Sequence, residues 1–207
     1  MLILATVIVT QFVYVTTAAE PERVILPVPY YETVLGCGLA TTRMVLAYAL
    51  YPHEPPSEIE LALKLGLDIS QAAIGVTNDQ QRMLLRMHGV EAYVSSTWTF
   101  LLLRDSLKQG FPIKLTVRGS IVTGKETSEL HAILAIGYDL KGIYVHDPSN
   151  VRPCQYYEDQ VLIKYWNVEG QLWALEARTK PSRPPSYSVS ISILGQNGEM
   201  PNPKVYV

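Results

Sequence analysis

The hydrophobic period of this chain changes once, near Pro112, and that change restricts the folds open to it. Upstream, apolar residues recur at helical spacing. Met44, Val45, Leu46 and Tyr48 mark a helix from Cys37 to Tyr51 that Pro52 stops. Downstream, the runs Pro112 to Val117, Leu130 to Tyr138 and Ile143 to His146 are strand-like, rich in β-branched residues and too short for helices. Helices first and antiparallel strands after predict an α+β architecture.

Local signals divide the two halves further. Ser57-Glu-Ile-Glu60 and Thr77-Asn-Asp-Gln80 have the form of capping boxes, in which side chains satisfy the first backbone donors of a helix. The first opens a short helix to about Leu65. The second opens a helix that should bury Met83, Leu84 and Met87 and end at Gly89. Another helix is expected from Thr97 through Leu107, closed by Gly110. Asp139-Leu-Lys-Gly142 carries turn chemistry between two strands and predicts a β-hairpin. Glu158 to Trp166 reads as a short helix or turn, and Gln171 to Ala177 as a closing strand. Beyond Arg178 the chain turns to Pro, Ser and Gly, so 179–207 reads as a tail, with Tyr187 to Leu194 as one candidate strand. The domain proper is expected over 24–178.

Residues 1–19 carry no charged side chain and end in the small residues Thr17-Ala18-Ala19 before Glu20-Pro21. That pattern suits a signal peptide or a membrane anchor, although the basic n-region is missing and the stretch is just under the ~20 residues of a span. A β-strand is the third reading. Secretion or anchoring outside the cytoplasm is the expectation.

The 207 residues, 48% of them hydrophobic, suffice for one well-cored domain. Seventeen basic against nineteen acidic residues, with no basic stripe, argue against a nucleic-acid partner. Two cysteines, Cys37 and Cys154, cannot make a disulfide framework, though one bridge is open on arithmetic alone. His53, His88 and His146 lack metal-ligand spacing. There is no glycine-rich phosphate loop and no Gly-x-Ser-x-Gly elbow, so no metal or cofactor is expected.

Cys37 sits between Gly36 and Gly38, where an extended stretch gives way to the first helix. A thiol at a helix N-terminus faces unpaired N–H groups and the positive end of the dipole, which favour the thiolate, the reactive form. Free cysteine is also a common small core residue, and position alone does not decide. His131 and Asp147 lie 16 positions apart across the predicted hairpin. An imidazole that takes the thiol proton, with a carboxylate behind it to fix the tautomer, is what a cysteine nucleophile needs. Side chains alternate across a sheet, so the pair shares a face only in certain registers. Tyr138 opposite Gly142 or Tyr144 gives the right parity. Tyr138 opposite Ile143 gives the wrong one unless a bulge intervenes. Asn150 is the alternative orienter.

Val28-Pro-Tyr-Tyr31 followed by Cys37-Gly-Leu-Ala-Thr-Thr-Arg-Met-Val-Leu46 resembles the nucleophile motif of the bacteriocin-processing (double-glycine leader) peptidases and their stand-alone relatives. His131-Ala-Ile-Leu-Ala-Ile-Gly-Tyr-Asp139 and Gly142-Ile-Tyr-Val-His-Asp-Pro148 resemble their histidine and aspartate segments. Leu107 to Pro112 and Tyr165-Trp166 fit the same order. The resemblance spans roughly Leu26 to Ala177. It implies a papain-like fold, with N-terminal helices carrying the nucleophile packed on a C-terminal antiparallel sheet. It also implies Cys37 as nucleophile, His131 as general base and acid, Asp147 as the orienting carboxylate, and a peptide or protein substrate.

One position departs from the family. Its members place a glutamine a few residues before the nucleophile, to donate to the oxyanion. Here that stretch reads Tyr30-Tyr31-Glu32-Thr33. An ionised Glu32 only accepts hydrogen bonds. Tyr31 has a hydroxyl that could donate, and the Cys37 N–H could supply the other donor. The expected function is peptide-bond hydrolysis through a Cys37 thioester. Two alternatives are a catalytically weak or inactive peptide-binding domain of the same fold, and acyl transfer to an amine.

Overall fold

The computed structural model describes residues 23–182 apart from 122 and 151. The predicted stretches 1–19 and Tyr187 to Leu194 lie outside the described residues.

The helical half forms as its caps direct. Helix α1 is Cys37–Ala49, with extended Gly36 as its N-cap. Helices α2 (Glu58–Lys64) and α4 (Asn78–Met87) each open on the predicted capping box. Helix α3 (Ile69–Ile74) lies between them on a third box, Asp68 with Gln71, which the apolar pattern did not signal. Helix α5 is Phe100–Lys108, capped by the Thr99 hydroxyl, two residues later than expected. Helix α4 buries Gln81, Leu84 and Leu85. Met83 and Met87, expected inside, are 42% and 53% exposed, because Leu84 and Leu85 face the core from the opposite side of the turn.

The strand half forms one antiparallel sheet. Strands β1 (Val24–Ile25), β2 (Ala92–Ser95), β3 (Ile113–Ser120), β4 (Lys125–Tyr138), β5 (Gly142–His146), β6 (Gln155–Glu158) and β9 (Ala174–Ala177) belong to it. Their order is β2-β9-β3-β4-β5-β6, with β1 pairing β4 past the end of β3. Helix α6 (Asp159–Trp166) follows β6. The short pair β7 (Asn167–Val168) and β8 (Gln171–Leu172) precedes β9, so the single closing strand expected over Gln171 to Ala177 is two strands in two sheets. The α+β expectation holds. The core is continuous from Leu39, Met44 and Leu46 of α1 to Leu115, Ile133 and Leu134 of the sheet, all fully buried.

Two glycines permit close approaches. A Cβ at Gly38 would meet Val76 Cγ2 at 2.6 Å and Gln81 Nε2 at 3.0 Å, so the residue after Cys37 lets α1 and α4 close on each other. A Cβ at Gly137 would meet the Val24 carbonyl at 2.3 Å and displace β1.

The hairpin register decides the site. Asp139 closes the turn, its Oδ1 accepting the N–H groups of Lys141 (2.8 Å) and Gly142 (2.9 Å). Tyr138 pairs with Ile143, the register of wrong parity. Between Ala135 and Gly137 the register shifts by one, so that Leu134 faces His146. Ile136 is the extra residue of a β-bulge. Carried one step past His146, the shifted register sets Asp147 beside Ile133, on the His131 side of β4. Without the bulge Asp147 would fall beside Leu134, on the other face.

Candidate active site

Cys37 is the first residue of α1, with no side-chain cap competing for the leading N–H groups. Both cysteines are free thiols, so the Cys37–Cys154 bridge does not form. The Cys37 sulfur sits at a gap in the sheet edge. Leu134 is the last β4 residue paired with β5, and Ala132 lies two residues beyond it. Thr116, opposite Ala132, turns its N–H to the Trp173 carbonyl on the far side. The Ala132 N–H therefore points to the open edge, where it donates to Cys37 Sγ at 3.4 Å.

His131 stands within β4 rather than at its start, since the strand begins at Lys125. Its Nε2–H donates to Asp147 Oδ1 at 2.7 Å. A carboxylate can only accept, so Nε2 carries a proton, and Nδ1 is the ring nitrogen left for exchange with Cys37. Asp147 is sealed from water, with a side chain 4% exposed against 17% for His131. Its Oδ1 also accepts the Ser149 N–H at 3.0 Å. Asn150 is not the orienter: its Oδ1 accepts the Arg152 N–H at 3.3 Å, and Asp147 holds the imidazole.

The electrostatics favour an ion pair. Burial pushes the Cys37 thiol up, but the hydrogen bond and charge of His131, the Ala132 N–H and the Lys114 charge outweigh it, and the thiol ends below its usual 9.0. Burial pulls His131 down, yet the hydrogen bonds to Asp147 and Cys37 and their charges raise it to about 9. Both shifts act in one direction, favouring thiolate beside imidazolium over the neutral pair. Cys154, by contrast, is pushed up by burial and is inert by the same criterion.

The loop ahead of Cys37 is tied from both sides. Tyr30 OH donates to the carbonyls of Asp147 (3.2 Å) and Asn150, and the Thr33 N–H donates to the Pro148 carbonyl at 2.9 Å. Glu58, 2% exposed, accepts from the N–H groups of Val34 (3.0 Å), Leu35 (2.8 Å) and Gly36 (3.2 Å) and from the Thr33 hydroxyl (3.4 Å). The sequence showed Glu58 only as the interior of a capping box. The Tyr31 ring lies under the Arg43 guanidinium at 4.0 Å. Glu32 is exposed.

Lys114 is a second residue that sequence reasoning passed over. It lies within an apolar strand, 3% exposed, and its Nζ donates to Thr116 Oγ1 at 2.7 Å and to Asn78 Oδ1. The one signal was a lysine inside the run Pro112 to Val117.

Helices stacked on one antiparallel sheet, with the first helix delivering its N-terminus to a sheet edge, make up the papain-like architecture. The chain belongs to the Peptidase_C39-like family, whose sequence model matches residues 25–172. Among curated proteins none matches the sequence. A solved structure described as a C39-like peptidase from Bacillus anthracis superposes with a TM-score of 0.61 at 19% identity, covering 77% of this chain and all (100%) of that one. The peptidase domain of Streptococcus ComA, a bifunctional ABC transporter of a quorum-sensing pathway, superposes with a TM-score of 0.55 at 14% identity, covering 73% of this chain and 97% of that one. At these identities the likeness establishes the shared fold.

Proposed function

We propose that the chain is a cysteine peptidase that cleaves a peptide bond through a thioester on Cys37, with His131 as base and acid and Asp147 as orienter. The observation that carries this reading is the 2.7 Å bond from His131 Nε2 to Asp147 Oδ1, which leaves Nδ1 as the ring nitrogen for the Cys37 proton. The thiolate attacks the substrate carbonyl carbon, and the C–O electron pair moves onto oxygen. The Cys37 N–H, unpaired at the start of α1, is the donor available to that oxyanion. As the tetrahedral species collapses, the C–N bond breaks and His131 passes its Nδ1 proton to the leaving amine. Water then gives a proton to Nδ1 and attacks the thioester, and the carboxylic acid leaves as Cys37 regains its starting form. A peptide or protein substrate follows from this chemistry. Residues 1–19 suit export or membrane anchoring, so we place the enzyme outside the cytoplasm.

Incubation with a diverse peptide mixture, read by mass spectrometry, tests the activity. New termini should form with the wild type and not with Cys37→Ala; equal cleavage by both would rule the reading out. Glu32 at the family's glutamine position favours a second reading, a peptide-binding domain without turnover. That reading predicts saturable peptide binding unchanged by Cys37→Ala and no new termini.

A further inference from the structure

We propose that Lys114 is a positioning residue for the nucleophile, a buried ammonium whose charge faces the Cys37 sulfur and holds it as thiolate. The proposal rests on the cysteine-peptidase reading above.

The placement follows from register. Thr116 of β3 lies opposite Ala132 of β4, the residue whose N–H binds the sulfur. Lys114 is two residues earlier on the same face of β3. Its side chain runs toward Thr116, which accepts from Nζ at 2.7 Å, and so toward the end of the sheet where Cys37 sits. Asn78, the first residue of α4, holds the ammonium from above.

Both hydrogen-bond partners are neutral. Among the described residues no carboxylate pairs with Lys114. Asp79 of α4 pairs with Arg82 at 2.8 Å on the surface. Glu176 of β9 is bound to Arg178 at 2.6 Å and to Ser106 of α5, on the other face. His131 of β4 also belongs to that other face and is paired with Asp147. The charge left for Lys114 to face is Cys37, on α1. A buried ammonium without a carboxylate is costly, and costs of that kind gather at functional sites. The coupling runs both ways: burial pulls Lys114 down to about 7 while the Cys37 charge lifts it, and Lys114 in turn lowers the thiol. Lys114 therefore supports the thiolate most on the acid side of neutrality. This cation supplements His131 and the α1 N-terminus as a source of positive potential at the sulfur.

The test is the rate of Cys37 alkylation by iodoacetamide against pH in the wild type, Lys114→Met and Asn78→Ala, with folding checked by circular dichroism. Lys114→Met should shift the thiol titration upward, so that alkylation on the acid limb of the profile slows by about three- to tenfold while the alkaline plateau is unchanged. Asn78→Ala keeps the lysine but removes an acceptor of its ammonium. It should slow alkylation at pH 6 about two- to threefold, in keeping with the weaker charge. It decides the matter if Lys114→Met does not fold. A folded Lys114→Met, or failing that Asn78→Ala, with the wild-type profile overturns the role of Lys114. The peptidase reading falls separately, if His131→Ala leaves the wild-type profile unchanged.

Discussion

His131 Nε2 donates to Asp147 Oδ1 across 2.7 Å, and the two residues meet because Ile136 is left out of the ladder. The hairpin turn alone, with Tyr138 opposite Ile143, would send the histidine and the carboxylate to opposite faces. One bulged residue, five positions after His131, corrects the parity. The bulge is therefore what brings His131 and Asp147 to one face of the hairpin.

Asp147→Ala should collapse the His131 titration from about 9 toward 6.5 or below, since the carboxylate supplies both a hydrogen bond and a charge. NMR of the imidazole C–H against pH reads this directly. Peptidase activity should fall by about 10²–10⁴, the scale of losing an orienting carboxylate. A chain lacking Ile136 should show the same imidazole signature with Asp147 still present.

The raised His131 value also predicts how stability varies with pH. The folded pKa lies above the unfolded 6.5, so proton binding favours the folded state. This contribution is complete below 6.5 and is lost as pH rises through about 9. The stability difference between wild type and His131→Ala should narrow across that window, by roughly 3 kcal/mol at most. Urea unfolding at pH 6, 7.5 and 9 checks the sign; a difference that widens with pH contradicts it.

Glu58→Gln should loosen the loop that delivers Cys37. The carboxylate accepts from three successive N–H groups and the Thr33 hydroxyl, and an amide nitrogen in place of one oxygen would confront donors with a donor. A loss of about 1–3 kcal/mol is expected, as for buried donors left without partners. The measurement is chemical unfolding together with amide hydrogen exchange at Val34, Leu35 and Gly36, which should speed up in the variant.

Lys114→Met should stabilise the protein while slowing its thiol. Here the folded pKa, about 7, lies below the unfolded 10.5, so the buried ammonium opposes folding. That cost is full below 7 and relieved as pH rises toward 10.5. The variant should be more stable by about 1–3 kcal/mol at pH 6, in line with replacing buried charge by packed apolar atoms. The gain should shrink at pH 9. Unfolding midpoints at the two pH values decide it.

Much of the helical half was legible because caps are local chemistry: Ser57 with Glu60 and Thr77 with Gln80 each specify a helix start in four residues. Helix α3 was missed because only Ala72 of it is fully buried, so no apolar period exists to read. Strands β2 and β6 are four residues each, too short for alternation to rise above noise. The first part of β4 is polar, with Lys125, Thr127, Ser128 and Glu129 exposed, and its pairing with β3 leaves no hydrophobic trace. Cys37, His131 and Asp147 stand out in the sequence only through their order together with the family resemblance. The bulge at Ile136 does not, since an isoleucine in an apolar run looks the same in register or out of it. Lys114 and Glu58 act through long-range burial, which one-dimensional spacing does not encode.

The central claim is that Cys37 is a thiolate held by His131, and the alkylation rate of Cys37 from pH 4 to 10, in wild type and in His131→Ala, tests it most directly. The account predicts fast reaction near pH 6 in the wild type, lost in His131→Ala, whose thiol should titrate close to or above the ordinary 8.5. Ordinary thiol behaviour in both proteins would contradict it.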